Sequence, residues 1–176
     1  SAACKIMRGM YPDLPLVGIE PAVKPAAQNH RGEKVAVMAT PLTLHEEKFK
    51  QPVKRYENLA TIIPVPCPDL VEYVEKGILE GPELEGYLKD VLKPCLQEGV
   101  KAVVLGCTHF PLVKAAIGKV VGESVRIYDG GEGTARQAKC LLAAKNLCTD
   151  QEKGHICFES SAPEKEAYYE ALYRKA

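Results

Sequence analysis

The chain has 176 residues, enough for one domain or two small lobes, and its 46% hydrophobic and 26% charged content is ordinary for a globular protein. Its 23 basic side chains balance its 23 acidic ones. That balance argues against nucleic-acid binding, which usually goes with a basic excess. The sequence has no apolar run close to the roughly 18 residues of a membrane helix and no segment resembling a secretory signal. We therefore expect neither a nucleic-acid nor a membrane partner.

Seven cysteines are the unusual feature of the composition. None belongs to a Cys-x-x-Cys pair and the four histidines lack ligand spacing, so we expect no metal site. The odd number argues against a disulfide framework, and a reduced cytoplasmic protein is the simpler interpretation. In such a protein most thiols are small buried side chains, which leaves one or two for chemistry.

Short apolar runs alternate with helical patterns along the chain. The predicted strands are 14–19, 34–39, 61–65, 101–106, 125–128 and 155–158. A helix at the start of the chain is followed by helical patterns near 22–30, 43–56, 69–77, 84–97, 112–121, 133–147 and 164–174. Continuous apolar strands that alternate with helices predict an α/β fold with parallel sheets flanked by helices.

The strongest site prediction is the sequence Gly-Cys-Thr-His-Phe-Pro at 106–111, after the most apolar strand and before a helix. Open parallel sheets bind ligands at the carboxyl ends of their strands. A helix N-terminus there favours the thiolate of Cys107, and His109 is placed to exchange a proton with it. Gly106 is predicted to let a ligand approach the backbone. The alternative is a buried structural cysteine beside a helix-capping Thr108.

A second candidate segment begins at Cys67 and continues into a short helix that Gly77 ends. Glu75 shares the apolar face of this helix, so its carboxylate needs a partner or a chemical role. A salt bridge to a lysine or arginine is an equally good interpretation. We expect Cys67 to be a buried core thiol rather than a reactive one, and Cys95 to be part of the apolar stripe of the next helix.

Two further segments follow predicted strands. Thr40 and Thr43 are placed to bind a small polar ligand, although capping of the next helix is the favoured interpretation. The segment 129–136, Asp-Gly-Gly-Glu-Gly-Thr-Ala-Arg, favours a tight turn with a capped helix over an anion site. It lacks the spacing of a dinucleotide fingerprint.

Taken in order, these segments resemble the glutamate racemases of the cofactor-independent aspartate/glutamate racemase superfamily. The matching motifs lie at 18–23 (Gly-Ile-Glu-Pro-Ala-Val), 39–43, 67–75, 106–111 and 129–136. His109 favours glutamate as substrate, because related aspartate racemases typically carry glutamate at this position. The resemblance implies two α/β lobes with the active site between them. One lobe would cover 22–123, and the other would be built from 1–21 and 124–176.

The resemblance also implies a mechanism that uses neither a pyridoxal cofactor nor a metal. One thiolate removes the α-proton of glutamate, and a thiol on the opposite face returns a proton. Cys107 matches the second cysteine of the pair, His109 the histidine that assists it, and Glu75 a carboxylate that supports the same side. The expected substrate contacts are Thr108, His109, Thr43 and Thr40. The product would be D-glutamate for peptidoglycan, and hence for the cell wall and cell shape, and a homodimer is expected.

The chain departs from the family pattern near its start. The family's first catalytic cysteine lies in an Ala-Cys-Asn-Thr motif that this sequence lacks, as it lacks the family's Asp-Ser-Gly and Pro-Tyr-Gly segments. Cys4 falls inside the first helix and does not match the missing base. We therefore expect the chain to be the C-terminal two-thirds of the enzyme, with one lobe incomplete, and to be inactive or nearly so alone.

Three other functions are open at this point. The first is a related racemase that acts on aspartate or hydantoins. The second is a thiol hydrolase or amidotransferase with Cys107 as nucleophile and His109 as base, for which the sequence identifies no third orienting residue. The third is a non-catalytic module that binds a small acid.

Overall fold

The structure is a computed structural model that describes residues 2–45, 47–149 and 154–175. The chain divides into two compact units. The larger unit is Ile19–Glu132, and the smaller one combines Ser1–Gly18 with Gly133–Ala176. The predicted catalytic residues and substrate contacts all lie in the larger unit, whereas the candidate segment 129–136 extends past its end.

The larger unit contains a sheet of four parallel strands in the order β2-β1-β3-β4. The strands are β1 (Lys34–Ala39), β2 (Thr61–Pro66), β3 (Ala102–Leu105) and β4 (Arg126–Tyr128). The helices are α1 (Ala2–Met10), α2 (Val23–Asn29), α3 (Pro41–His45), α4 (Glu47–Tyr56), α5 (Leu70–Glu75), α6 (Pro82–Gln97), α7 (Lys114–Val121), α8 (Gly131–Ala144) and α9 (Glu166–Lys175), with 3₁₀ turns at Phe110–Val113 and Pro163–Lys165. The prediction of an α/β fold with a parallel sheet flanked by helices is confirmed.

The two central strands explain the continuous apolar runs in the sequence. Every residue of β3, and every residue of β1 after Lys34, is buried. Alternate residues of these strands pack with α2 in one core cluster, where Ala26 and Ala27 are fully buried. Edge strand β2 is partly exposed and contains Pro64, which is tolerated because an edge strand has one unpaired side.

Helix α6 has the amphipathic pattern that its sequence predicts. It buries Leu84, Leu88, Leu92 and Cys95 along one face. Gly81 precedes it with φ = 109°, in a region of backbone conformation that glycine adopts readily, and Pro82 occupies its first turn. The interpretation of Cys95 as a core residue is confirmed.

Two predicted strands, 14–19 and 155–158, are irregular in the structure and those predictions are wrong. A short apolar run becomes a strand only where a neighbouring backbone completes its hydrogen bonds. Instead, the Leu16 carbonyl accepts a hydrogen bond from the Arg8 guanidinium at 3.0 Å. The Phe158 ring packs edge-to-face on Tyr173 of α9, with 5.4 Å between ring centroids.

The bounds of the two units differ from the lobes expected at 22–123 and at 1–21 with 124–176. Strand β4 lies in the larger unit because it pairs with β3, and this unit continues to Glu132. The division of the complete fold into lobes stays a prediction.

The smaller unit exposes several large apolar side chains. Ile6 and Met10 of α1 are 62% and 64% exposed, and Leu147, after α8, is 55% exposed. Within this unit the Lys145 ammonium donates a hydrogen bond to the Asp13 carbonyl at 2.9 Å. Among the described helices, none has both the length and the apolar character needed to cross a lipid bilayer.

Candidate active site

The carboxyl ends of the strands bring the predicted site segments to one edge of the sheet. Met38 of β1 pairs with Leu105 of β3, so the same register places Thr40 level with Cys107. The Gly106 N–H donates to the Met38 carbonyl at 2.8 Å and extends the ladder beyond the strand end. Parallel pairing therefore assembles segments that are far apart in the sequence.

Three side chains at this edge form a connected series. The Cys107 Sγ lies 3.8 Å from His109 Nδ1, and His109 Nε2 lies 2.8 Å from a carboxylate oxygen of Glu75, at the end of α5. Cys107 is partly buried, whereas the side chains of His109 and Glu75 are 31% and 40% exposed. His109 is thus one partner of the Glu75 carboxylate.

The series has the geometry of a proton relay. When His109 Nε2 carries a proton, it donates that proton in a hydrogen bond to Glu75, and the unprotonated Nδ1 then faces the thiol of Cys107. A histidine oriented in this way can accept the thiol proton, and the Glu75 carboxylate then stabilises the imidazolium. The arrangement can therefore generate a thiolate at the strand end.

A buried turn holds His109 in place. His109 precedes the 3₁₀ turn Phe110–Val113, and its carbonyl accepts the Leu112 N–H at 3.1 Å. Phe110 and Val113 are fully buried, so their side chains anchor the turn in the core. Packing of this turn against α5 brings the histidine within reach of Glu75.

Thr40 and Thr43 interact with each other at the start of α3. Their hydroxyl oxygens are 3.0 Å apart, and the Thr43 N–H donates to Thr40 Oγ1 at 3.3 Å. Thr40 therefore caps the helix as the sequence favoured, and both side chains are partly buried. Thr108 lies on the exposed side of the Cys107–His109 segment. Contact of these threonines with a substrate stays a prediction.

Burial distinguishes Cys67 from Cys107. The Cys67 side chain is fully buried, and burial raises the pKa of its thiol to about 12. Its thiol also donates to the Val65 carbonyl at 3.4 Å. Since β1 separates β2 from β3, the backbones at Cys67 and Cys107 are about 10 Å apart. That separation is too long for a disulfide. The core interpretation of Cys67 is confirmed.

Gly106 has a packing role in the sheet. A Cβ at this position would lie 2.6 Å from the Met38 carbonyl oxygen and 3.3 Å from the Ala39 Cβ. Glycine therefore allows a close approach between the end of β3 and β1, and close approach of a ligand to this backbone stays a prediction. Any side chain here would push the backbone before Cys107 away from its neighbouring strand.

Asp129, at the end of β4, makes contacts that sequence reasoning did not anticipate. Its carboxylate accepts a hydrogen bond from the Lys114 ammonium at 2.8 Å and another from the Gly131 N–H at 3.0 Å. The second bond supports the predicted turn before α8. The partner Lys114 is 15 residues away and carries no sequence signal. Within the described ranges, no cluster of three or more histidine, cysteine, aspartate or glutamate side chains has metal-binding geometry.

Comparison with known proteins identifies the family of this chain. A family model described as Asp/Glu/hydantoin racemase matches residues 3–138. This chain belongs to the Asp/Glu/hydantoin racemase family. The predicted resemblance is confirmed.

Within the Asp/Glu/hydantoin racemase family, the chain is similar to glutamate racemases. It is 43% identical over 166 residues to glutamate racemase of Clostridium perfringens (strain ATCC 13124) and 45% identical over 157 residues to that of Clostridium novyi (strain NT). These alignments cover 94% and 89% of this chain but 64% and 61% of the relatives. The chain thus spans less than two thirds of their length.

A solved structure has the same fold. The crystal structure of Escherichia coli glutamate racemase, in complex with L-glutamate and the activator UDP-MurNAc-Ala, superposes with a TM-score of 0.76 at 28% sequence identity. The superposition covers 97% of this chain and 66% of that chain. The fold of this family member therefore corresponds to about two thirds of a complete glutamate racemase.

Replacing Gly106 by alanine should destabilise the larger unit, because the new methyl group collides with the Met38 carbonyl. We expect a loss of about 1–3 kcal/mol in the free energy of unfolding, measured by urea titration with circular dichroism. Gly86→Ala is the matched control. It lies within α6 with no atom within 4 Å of its added Cβ, so it should gain about 0.5–1 kcal/mol. Equal stability of the two variants would contradict the packing argument.

Iodoacetamide at about pH 8 should label Cys107 much faster than Cys67. A pKa near 12 leaves only about 10⁻⁴ of the Cys67 thiol ionised at that pH, and burial blocks access to it. Labelling rates are read from peptide masses, with denatured protein as the control in which both thiols react. Folding raises the pKa of the Cys67 thiol from 9.0 to about 12, so the neutral thiol favours the folded state over the unfolded one. This contribution to the free energy of unfolding is fully present below pH 9 and is lost as the pH rises towards 12. Fast labelling of Cys67 in the folded chain would show that the site is open.

Proposed function

We propose that this chain carries one of the two thiol bases of a glutamate racemase, with Cys107 as that base. The observation that carries the proposal is the series from the Cys107 thiol through His109 to Glu75, with separations of 3.8 Å and 2.8 Å. Family membership and the 43–45% identity to glutamate racemases support it. The L-glutamate bound to the Escherichia coli relative supports the choice of substrate.

The proposed chemistry is a proton transfer at the α-carbon. His109 accepts the thiol proton of Cys107, and the resulting thiolate removes the α-proton of glutamate, so that an S–H bond forms as the C–H bond breaks. A thiol on the opposite face then returns a proton to the planar carbanion. Glu75 orients His109 and stabilises its positive charge. Neither a pyridoxal group nor a metal is required in this scheme.

Inversion needs a base on each face of the α-carbon. Cys107 matches the second cysteine of the family, and the Ala-Cys-Asn-Thr motif of the first is absent from these 176 residues. We therefore propose that the chain by itself exchanges the α-proton on one face but does not interconvert the enantiomers. Racemisation belongs to the complete two-base site.

The threonines near Cys107 are proposed substrate contacts. The Thr40 and Thr43 hydroxyls lie at the end of β1, beside the end of β3 where Cys107 lies. Thr108 is exposed next to the thiol, where its backbone and hydroxyl can reach a carboxylate. These groups would hold the carboxylates of glutamate while the α-carbon faces the sulfur.

The wider role follows the family resemblance. We propose that the complete enzyme acts in the cytoplasm as a homodimer and supplies D-glutamate for peptidoglycan, and thus for the cell wall and cell shape. The related possibility of aspartate or hydantoin as substrate is decided by substrate competition.

A thiol hydrolase is the second candidate, because Glu75 supplies the orienting third residue that its sequence alone did not identify. Cysteine, histidine and a carboxylate in series also activate a nucleophile for acyl transfer. That function predicts a covalent acyl-enzyme on Cys107, detectable as a mass increase with an activated ester. The similarity to glutamate racemases favours proton transfer.

Proton exchange in D₂O tests the proposal directly. We expect proton NMR to show loss of the α-proton signal from one enantiomer of glutamate and not from the other. Cys107→Ala should abolish the exchange, whereas Cys140→Ala, which removes an exposed thiol of the smaller unit, should leave it unchanged. Full interconversion would place a second base within these residues. Absence of exchange in a chain shown to be folded by circular dichroism would contradict the role of Cys107.

Glu75→Gln should slow this exchange about ten-fold or more, because a neutral amide does not stabilise the His109 imidazolium. Glu72→Gln is the matched control. Glu72 lies in the same helix and pairs with Lys76 at 2.7 Å. We expect the control to exchange at the wild-type rate. Equal rates in all three proteins would remove Glu75 from the mechanism.

A further inference from the structure

The ion pair between Lys114 and Asp129 is separate from the series formed by Cys107, His109 and Glu75. The Lys114 ammonium lies 2.8 Å from one carboxylate oxygen of Asp129, and the other oxygen accepts the Gly131 N–H. The Asp129 side chain is 21% exposed. The hydrogen bond from Lys114 holds the pKa of Asp129 below its usual range, so the carboxylate is charged at neutral pH.

The pair joins two elements next to the candidate active site. Asp129 follows β4, and β4 is the neighbour of β3, after which Cys107 lies. Lys114 is the first residue of α7. The ion pair therefore ties the start of α7 to the same edge of the sheet that carries the thiol.

A continuous turn connects Lys114 to the thiol. Successive backbone hydrogen bonds run through 107–114, from the Phe110 N–H to the Cys107 carbonyl at 3.2 Å, from Leu112 to His109 at 3.1 Å, and from Lys114 to Pro111. These bonds join the start of α7 to the backbone that carries Cys107 and His109.

We propose that Asp129 is a positioning residue that holds Lys114, and through it the 107–114 turn, so that His109 faces the Cys107 thiol. The inference rests on the proposed role of Cys107 and His109 as a proton-transferring pair. Ion pairs that solvent reaches on one side add little to global stability, so the effect is expected in the geometry of the site rather than in unfolding. The 3.8 Å separation of sulfur and nitrogen is the quantity that the pair controls.

The competing explanation is a direct effect of charge. Under that explanation Asp129→Asn leaves the Lys114 cation uncompensated, which favours the thiolate and speeds its alkylation, whereas Lys114→Met slows it. A positioning role predicts that both substitutions slow the reaction, because each breaks the same link. The asparagine keeps an oxygen to accept the Gly131 N–H, so the turn before α8 is preserved.

The test measures iodoacetamide labelling of Cys107 against pH, read from peptide masses on the full chain. We expect Asp129→Asn and Lys114→Met each to slow labelling by at least about three-fold near neutral pH. The double variant should be no slower than either single one. In a His109→Asn background, Asp129→Asn should have no further effect, because Asp129 acts through the histidine.

The control is the ion pair between Lys119 and Glu85, at the far end of the same helix α7, where the charged atoms are 3.5 Å apart. Glu85→Gln and Lys119→Met should leave Cys107 labelling unchanged. Three results would overturn the proposal. They are faster labelling of Cys107 in Asp129→Asn, unchanged labelling in both Asp129→Asn and Lys114→Met, and an equal effect in the control variants. Iodoacetamide labelling does not depend on turnover of a substrate. A failed proton-exchange assay would therefore argue against the racemase function, while the labelling rates would still test the positioning role of Asp129.

Discussion

The parallel pairing of β1 with β3 is the constraint on which the rest of the larger unit depends. Both strands are buried, so their backbone groups must pair with each other and with the flanking strands. The pairing continues one residue further, where the Gly106 N–H meets the Met38 carbonyl, and the missing side chain of Gly106 permits that approach. The position of the next residue, Cys107, follows from this contact.

Two thiols at the same edge illustrate how environment selects function. Cys67 follows β2 and Cys107 follows β3, yet only Cys107 is partly exposed and has a histidine within reach. Burial keeps Cys67 protonated because an ion there would lose its hydration. Cys107 is partly exposed at the end of a strand, beside His109, where the proposed substrate would approach it. Chemical identity alone does not distinguish these residues.

The proposed function assigns to this chain one of the two bases that racemisation requires. The chain belongs to the racemase family and corresponds to about two thirds of the length of glutamate racemases. Both findings agree with the proposal that it carries the Cys107 base. The larger unit supplies a thiol, its histidine and a supporting carboxylate from three different positions along the chain. Under the proposal, these groups carry out proton exchange on one face, since that step requires one base and a route for its proton.

The sequence by itself determined the elements with strong local patterns. The apolar runs of β1 and β3, the stripe of α6 and the Gly-Cys-Thr-His motif before a helix were all predictable, because they depend on residues close together in the chain. The segments 14–19 and 155–158 have equally short apolar runs but are irregular, since a strand also needs a partner that local sequence does not specify. Only the tertiary structure decided that Glu75 meets His109 across 34 positions and that Lys114 meets Asp129 across 15. Such contacts arise from the order of strands in the sheet and the packing of turns against helices, which no periodicity in the sequence encodes.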